Sequence, residues 1–189
     1  WTALITGQVQ DGHAEAAMQL LKHMREKDIE LDNIMFISVL QACSSLADIG
    51  LGQQIHELIL SVGYKQDAVI GCSLIDMYCK CGCLENARTV FDEWPVKNVA
   101  AWNAMIAGYA QSGRCEEALQ LFDQMHKNAI EPDIITWNTV IASCAQHGQF
   151  EDAMLFLNKL KSSGLNPDKK TFGSVLGACT TALRIEEGR

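Results

Sequence analysis

Nothing in this chain can span a membrane or coat a phosphate backbone indiscriminately. No apolar run approaches the roughly 18 residues that a bilayer crossing requires, so no membrane partner is expected. Lysine and arginine number 15 against 23 aspartates and glutamates, a formal net charge of −8. A sequence-blind grip on nucleic acid, duplex DNA included, needs the opposite balance. The H-x-E and P-C-x-x-C pair of a zinc deaminase is also missing. His56 and Glu57 are adjacent, no P-C-x-x-C occurs, and His147 precedes Gly148 at what reads as a helix end. No residue set supports catalysis or a cofactor, so the chain is read as a non-enzyme. No basic, serine-rich or secretory leader opens the sequence, as expected for a window from a longer array.

Cysteine is plentiful, at eight residues, but its placement argues against a framework. Cys43, Cys144 and Cys179 fall at matching places in three different segments, too far apart to pair. Cys79, Cys81 and Cys83 are close, but C-x-C-x-C differs from the spacing of zinc sites, which use C-x₂₋₄-C pairs with a second pair or histidines elsewhere. Small buried or half-buried thiols in a reducing compartment are the expectation, with no metal.

What the chain does have is a period. Aromatics stand at Trp1, Phe36, Trp102, Trp137 and Phe172, with Gly71 in the equivalent place between Phe36 and Trp102; the successive gaps are 35, 35, 31, 35 and 35. Small residues form a second ladder at Ala17, Gly52, Ala87, Ala118, Ala153 and Gly188, with the same gaps and the same short step. Two ladders in phase define a repeat array in which each unit buries its apolar face against its neighbours. The units run 1–32, 33–67, 68–98, 99–133, 134–168 and 169–189, the first and last incomplete. With 48% hydrophobic residues the chain can bury a core, as a stack rather than one globule.

Each unit reads as two helices. In the unit from Val99 to Asp133, Trp102, Met105, Ile106 and Tyr109 make an i, i+3, i+4, i+7 stripe. Ser112-Gly113 breaks it, and Ala118, Leu121, Phe122 and Met125 repeat it. Ala118 lets the first helix approach closely, and Pro132-Asp133 closes the unit in a turn. The next unit follows the same grammar with Trp137, Val140, Ile141, Gly148, Ala153, Phe156, Leu157 and Asn166-Pro167-Asp168. The second unit has Ala47 where others have Gly, and Gly52 where others have Ala; the third has 31 residues and ends in Trp94-Pro95 ahead of Asn98. The fold class is therefore all-α, a solenoid of antiparallel helix pairs.

Trp102-Asn103-Ala104-Met105-Ile106, Glu117-Ala118-Leu119-Gln120-Leu121-Phe122-Asp123-Gln124-Met125 and Pro132-Asp133 resemble the pentatricopeptide repeat family. Ser38-Val39-Leu40-Gln41-Ala42-Cys43 with Gly52-Gln53-Gln54-Ile55-His56 is similar to the long unit of its plant organelle RNA-editing subgroup. Leu74-Ile75-Asp76-Met77-Tyr78-Cys79-Lys80-Cys81-Gly82 is similar to that subgroup's short unit. The order departs from strict alternation, since two standard units follow the short one before a long unit opens at Lys169. The resemblance implies a right-handed superhelix that binds single-stranded RNA, one base per repeat, and directs cytidine-to-uridine editing in a mitochondrion or chloroplast.

By that resemblance, the base is read by the residue after each aromatic together with the unit's last residue. The pairs are Thr2 with Asp32, Ile37 with Asp67, Cys72 with Asn98, Asn103 with Asp133, and Asn138 with Asp168; Gly173 holds the reading place of the last unit. An amide offers donors and an acceptor together, which suits a pyrimidine edge. Asp before a helix is also a good N-cap, so capping and reading both stand open for Asp133 and Asp168. Stacking falls to the second residue of each unit: Ile34, Val69 and Ile135 fit, whereas Ala100 and Lys170 fit less well. The family's pairing rules then give a core of G-N-Y-U-U. The alternative is a helical-repeat scaffold for protein–protein interaction, which the negative charge favours and which includes docking of protein editing factors on long units.

Overall fold

The computed structural model describes residues 1–27, 29 and 31–187, with side chains at all of these except 178 and 180–187. Gly188 of the small-residue ladder lies outside the described residues. Eleven α-helices and one 3₁₀ turn account for the elements, with no strand among the described residues. They divide into two compact units, Trp1–Lys97 and the chain from Asn98 onward.

The first compact unit holds α1 (Thr2–Gln10), α2 (Ala14–Glu26), α3 (Asn33–Leu46), α4 (Ile49–Val62), the 3₁₀ turn Tyr64–Gln66, α5 (Ala68–Lys80) and α6 (Leu84–Glu93). The first helices α1, α3 and α5 pack side by side, and each second helix packs on its own partner. The second compact unit repeats the scheme with α7 (Val99–Gln111), α8 (Cys115–Lys127), α9 (Ile134–Gln146), α10 (Phe150–Ser162) and α11 (Lys169–Glu187). There α7, α9 and α11 form the row of first helices.

Several helix starts, chiefly those of first helices, are capped by aspartate or asparagine side chains. Asp32, Asp48, Asp67, Asn98 and Asp133 each accept a backbone N–H of the helix they precede, at 2.7–3.1 Å. Each satisfies one of the amides that a helix start leaves without a partner. The turns within pairs use left-handed backbone, at Gly113 (φ 77°) and Gly148 (φ 72°) among others. In the second repeat Ala47 takes that conformation at φ 53°, a strained place for a side chain, which marks this unit's departure from the glycine rule. The last repeat differs from expectation. Helix α11 runs unbroken to Glu187, with no second helix among the described residues. Leu183-Arg184 stand where Ala47-Asp48 end α3 and cap α4.

The ladders lie in the core except at Trp1 and Phe172, which are exposed. Phe36, Trp102 and Trp137 are buried, as are Ala17, Ala87, Ala118 and Ala153. Gly71, the missing aromatic rung, has a physical explanation. A Cβ built there would sit 2.5 Å from Trp94 Cδ1, so the indole occupies the space. Trp94 is buried and its Nε1–H donates to the Asp67 carbonyl at 3.0 Å. The short repeat therefore supplies its aromatic from the end of its second helix. Gly52 is matched in a similar way by Met77, whose Sδ would stand 2.6 Å from an added Cβ.

These two glycines should respond differently to alanine. Trp94 is rigid and hydrogen-bonded, so Gly71→Ala should cost about 1–3 kcal/mol through overpacking. The Met77 thioether can swing aside, and alanine is favoured over glycine in a helix by about 1 kcal/mol, so Gly52→Ala should be close to neutral. Urea unfolding midpoints of the two variants measure the contrast.

Candidate nucleic-acid interface

The aspartate that caps a first helix also holds a side chain from the preceding one. Asp133 Oδ1 accepts the Thr136 N–H at 2.9 Å and the Asn103 Nδ2–H at 3.0 Å. Asp168 Oδ1 accepts the Thr171 N–H at 2.9 Å and the Asn138 Nδ2–H at 3.1 Å. Capping and holding the asparagine are thus two jobs of one oxygen. In both places a threonine completes the group: Thr136 Oγ1 donates to Asn103 Oδ1, and Thr171 Oγ1 donates to Asn138 Oδ1. Thr136 and Thr171 are fully buried, Asn103 is 9% exposed, and Asn138 is half-buried.

These bonds set the charge. For Asp133 burial pushes the carboxyl up, but the Thr136 N–H, the Asn103 amide and the Thr136 hydroxyl outweigh it and hold the carboxyl below its ordinary value. For Asp168 the Thr171 N–H leads, against a smaller push from burial, and the result is again a lowered pKa. Both are therefore carboxylates at neutral pH.

The other pairs differ. Asp67 also sits below its ordinary value, since the Ile70 N–H and the Asn33 amide overcome burial. Its Oδ2 takes Asn33 Nδ2 at 3.1 Å, so the first residue of the second repeat, and not Ile37, meets it. Ile37 has no polar atom to offer, and it is half-buried. Asp32 caps α3 through the Met35 N–H at 2.7 Å, and among the described residues no hydrogen bond joins it to Thr2. Asn98 caps α7 through the Ala101 N–H at 3.0 Å. Cys72 is half-buried in α5, its thiol pushed up by burial and by Asp76.

The second-place residues form the other half of the site. Ile34 is 64% exposed, Val69 52% and Ile135 59%, although all three are large and apolar. Ala100 and Lys170 are exposed as well. A cavity of about 580 Å³ brings the two sets together, for it is lined by Asn138 and Asp168 with Ile135, Lys170, Gly173 and Thr139. Asn138 and Asp168 thus lie in one opening with the second-place residues of the fifth and sixth repeats.

The residues missed from sequence are Thr136, Thr171 and Asn33. Thr136 and Thr171 each directly precede an aromatic rung and are one full period apart, a signal that was available. Of the candidates set aside, His56 is half-buried, with Nδ1 3.0 Å from the Tyr78 hydroxyl and its pKa lowered by burial. None of the eight cysteines is in a disulfide, and burial pushes Cys43 and Cys79 up to about 12. No group of three metal-ligating side chains stands together among the described residues.

Helix pairs stacked first helix on first helix, with an acid from one repeat meeting an amide from the same repeat across a helix start, define a helical-repeat protein of the pentatricopeptide class. The chain belongs to the pentatricopeptide repeat family: it matches the PPR repeat family over residues 97–136 and 132–181 and the PPR repeat over 1–29 and 72–99. A pentatricopeptide repeat-containing protein of Arabidopsis thaliana is 43% identical over 136 residues, 72% of this chain and 19% of that protein. A second, named as mitochondrial, is 40% identical over 136 residues, 72% of this chain and 21% of its own length. The chain thus spans about a fifth of the length of these relatives. Among solved structures, PPR10 in complex with an 18-nt psaJ RNA element superposes with a TM-score of 0.74 at 21% identity, over 98% of this chain and 28% of that one. The PPR domain of the A. thaliana protein-only RNase P 1 in complex with tRNA does so with a TM-score of 0.68 at 12% identity, over 94% and 96%. At these identities the likeness speaks for the fold.

The lowered carboxyls make a pH signature. A group whose native pKa lies below its unfolded one contributes stability that is complete above the unfolded value and drains away as pH falls through the native value. Between about pH 5 and about pH 3 the chain should lose stability, and the Asp133→Asn, Asp168→Asn double variant should lose less over the same interval. Urea unfolding at the two pH values gives the comparison.

Proposed function

We propose that this chain is a sequence-specific single-stranded RNA-binding module that reads one base per repeat, within a plant organelle protein that directs cytidine-to-uridine editing of transcripts. The observation that carries the proposal is the cavity that joins Asn138 and Asp168 to Ile135 and Lys170. A base entering it would meet a polar pair at its edge, with an apolar side chain and an alkyl stem available to its faces. Exposed large apolar residues at that fixed place in three repeats, Ile34, Val69 and Ile135, are costly without such a partner and support the same reading. The RNA named in the PPR10 complex supports RNA as the ligand. Relatives named as mitochondrial support a mitochondrion, and the chloroplast alternative rests on the family resemblance. The editing role rests on the likeness of the long and short units to that subgroup, and the deaminase chemistry belongs to another domain or partner.

In this reading Asn103 with Asp133 and Asn138 with Asp168 take uracil, Thr2 with Asp32 takes guanine, Cys72 with Asn98 favours a pyrimidine, and Ile37 with Asp67 reads little. The engagement of Asp67 by Asn33, with Ile37 beside it, favours a second role for the second repeat as a docking surface for protein editing factors.

A single-stranded RNA carrying G-N-Y-U-U should bind the chain in fluorescence anisotropy, and a duplex DNA of the same sequence should not. Replacing either uracil by guanine should weaken binding by about 1–3 kcal/mol, the scale of one well-placed contact to a base edge; unchanged affinity would remove the assignment for that repeat. Asn138→Thr should move the preference at the fifth base from uracil towards guanine. Its cost in stability should be about 1 kcal/mol, the worth of a side-chain hydrogen bond. A larger loss of stability with an unchanged preference would make Asn138 a structural residue only.

A further inference from the structure

We infer that Thr136 and Thr171 set the base specificity of the repeats that precede them, by fixing which way round the asparagine amide faces. The inference rests on the base-reading role proposed for Asn103 and Asn138. Its geometry is a closed ring of donors. The Asp133 N–H donates to Thr136 Oγ1 at 3.1 Å, Thr136 Oγ1 donates to Asn103 Oδ1, and Asn103 Nδ2 donates to Asp133 Oδ1 at 3.0 Å. The ring recurs one period later: the Asp168 N–H donates to Thr171 Oγ1 at 3.0 Å, Thr171 Oγ1 to Asn138 Oδ1, and Asn138 Nδ2 to Asp168 Oδ1 at 3.1 Å.

Thr136 Oγ1 stands within reach of two acceptors, Asn103 Oδ1 and, at 3.0 Å, Asp133 Oδ1, and Thr171 Oγ1 likewise reaches Asn138 Oδ1 and Asp168 Oδ1. A hydroxyl has a single hydrogen, and with a backbone N–H already donating to its oxygen, the shorter contact assigns that hydrogen to the asparagine. Turning the amide over would set its oxygen against the carboxylate and its NH₂ against the hydroxyl. The carboxylate thus holds the nitrogen end and the threonine holds the oxygen end.

The amide has valences left. Nδ2 carries two hydrogens and gives one to the aspartate; Oδ1 has two lone pairs and gives one to the threonine. One donor and one acceptor remain for a ligand, in an order that cannot invert. Uracil carries N3–H beside a carbonyl, a donor next to an acceptor. Cytosine carries a bare N3 beside an amino group, the reverse order. A freely turning amide fits both bases, whereas a fixed one accepts uracil and refuses cytosine. Without the threonine, Asn103 Oδ1 has no donor in a buried place, and the side chain turns to find one.

The ring is confined to two repeats. The corresponding third-place residues elsewhere are Met35, Ile70 and Ala101, none of which carries a hydroxyl. The threonine belongs to the repeat after the one whose base it governs. Specificity at the fourth base is therefore set by Asn103, Asp133 and Thr136 together, and at the fifth by Asn138, Asp168 and Thr171.

The test uses the whole chain with four single-stranded RNAs: G-N-Y-U-U flanked by fixed sequence, and the same RNA with cytosine at the fourth base, at the fifth, or at both. Dissociation constants are measured for the wild type, Thr136→Val, Thr136→Ser and Thr171→Val, with circular dichroism melts as the check on folding. Thr136→Val should lower the uracil-over-cytosine ratio at the fourth base by about fivefold or more, within the range of one base-edge contact, and leave the fifth unchanged. Thr171→Val should do the opposite, and Thr136→Ser, which keeps the hydroxyl, should restore the wild-type ratio. A wild type that prefers uracil at both bases, with valine variants that keep the same ratios, overturns the threonine role and leaves base reading intact. A wild type that binds without distinguishing uracil from cytosine overturns both. Should valine at 136 prevent folding, Thr171→Val decides the matter at the fifth base.

Discussion

The carboxylate oxygen at the junction between repeats carries more of this structure than any side chain in the core. Asp133 Oδ1 closes the start of α9, receives the Asn103 amide from α7, and stays ionised because those hydrogen bonds outweigh the cost of its burial. Asp168 does the same for α11 and α9. A helix start, a contact between neighbouring first helices and the chemistry of the groove are thereby coupled at one atom. The acid satisfies one of the first amides of its helix and so favours that helix start. Because the same acid faces the asparagine, the helix start also fixes the polar pair proposed to meet the ligand.

Packing around these junctions tolerates irregular repeats as long as the volume is kept. The short repeat has no aromatic in its first helix, yet Trp94 arrives from the other helix and fills the space over Gly71. Met77 compensates for Gly52 in a softer manner. The repeat length can thus change from 35 to 31 residues without opening a void, since the core depends on what fills each position and not on which residue supplies it.

Much of this was legible in the chain. The ladders through Trp102 and Ala118 gave the helix pairs, because a fixed period of burial leaves a fixed period of residue type. Asn103 and Asn138 were visible because they step off the apolar stripe. Trp94 was not assigned, since its partner at Gly71 is recognisable only as an absence, and a side chain that fills a gap from 23 residues away leaves no periodic trace. Thr136 and Thr171 were overlooked for a related reason: they sit in the first turn of a helix, where threonine is unremarkable, and their partners lie 33 residues back. Asn33 escaped because the acid it meets, Asp67, was already paired with Ile37 by the family resemblance. The end of the last repeat misled, as the place of Gly188 in the small-residue ladder implied a second helix, whereas α11 runs on to Glu187.

The sharing of Asp133 between α7 and α9 means that the repeats of this protein are not separable tiles. By sequence the aspartate ends one repeat; by structure it begins the next. Cutting the array at its sequence boundaries and rejoining the pieces in a new order would carry each asparagine and aspartate along but give them a stranger's third residue. The same asparagine–aspartate pair would then stand in different surroundings at each new joint. Recombination that respects the fold must cut inside the helices, between one junction and the next, so that every inherited piece spans a joint instead of stopping at one.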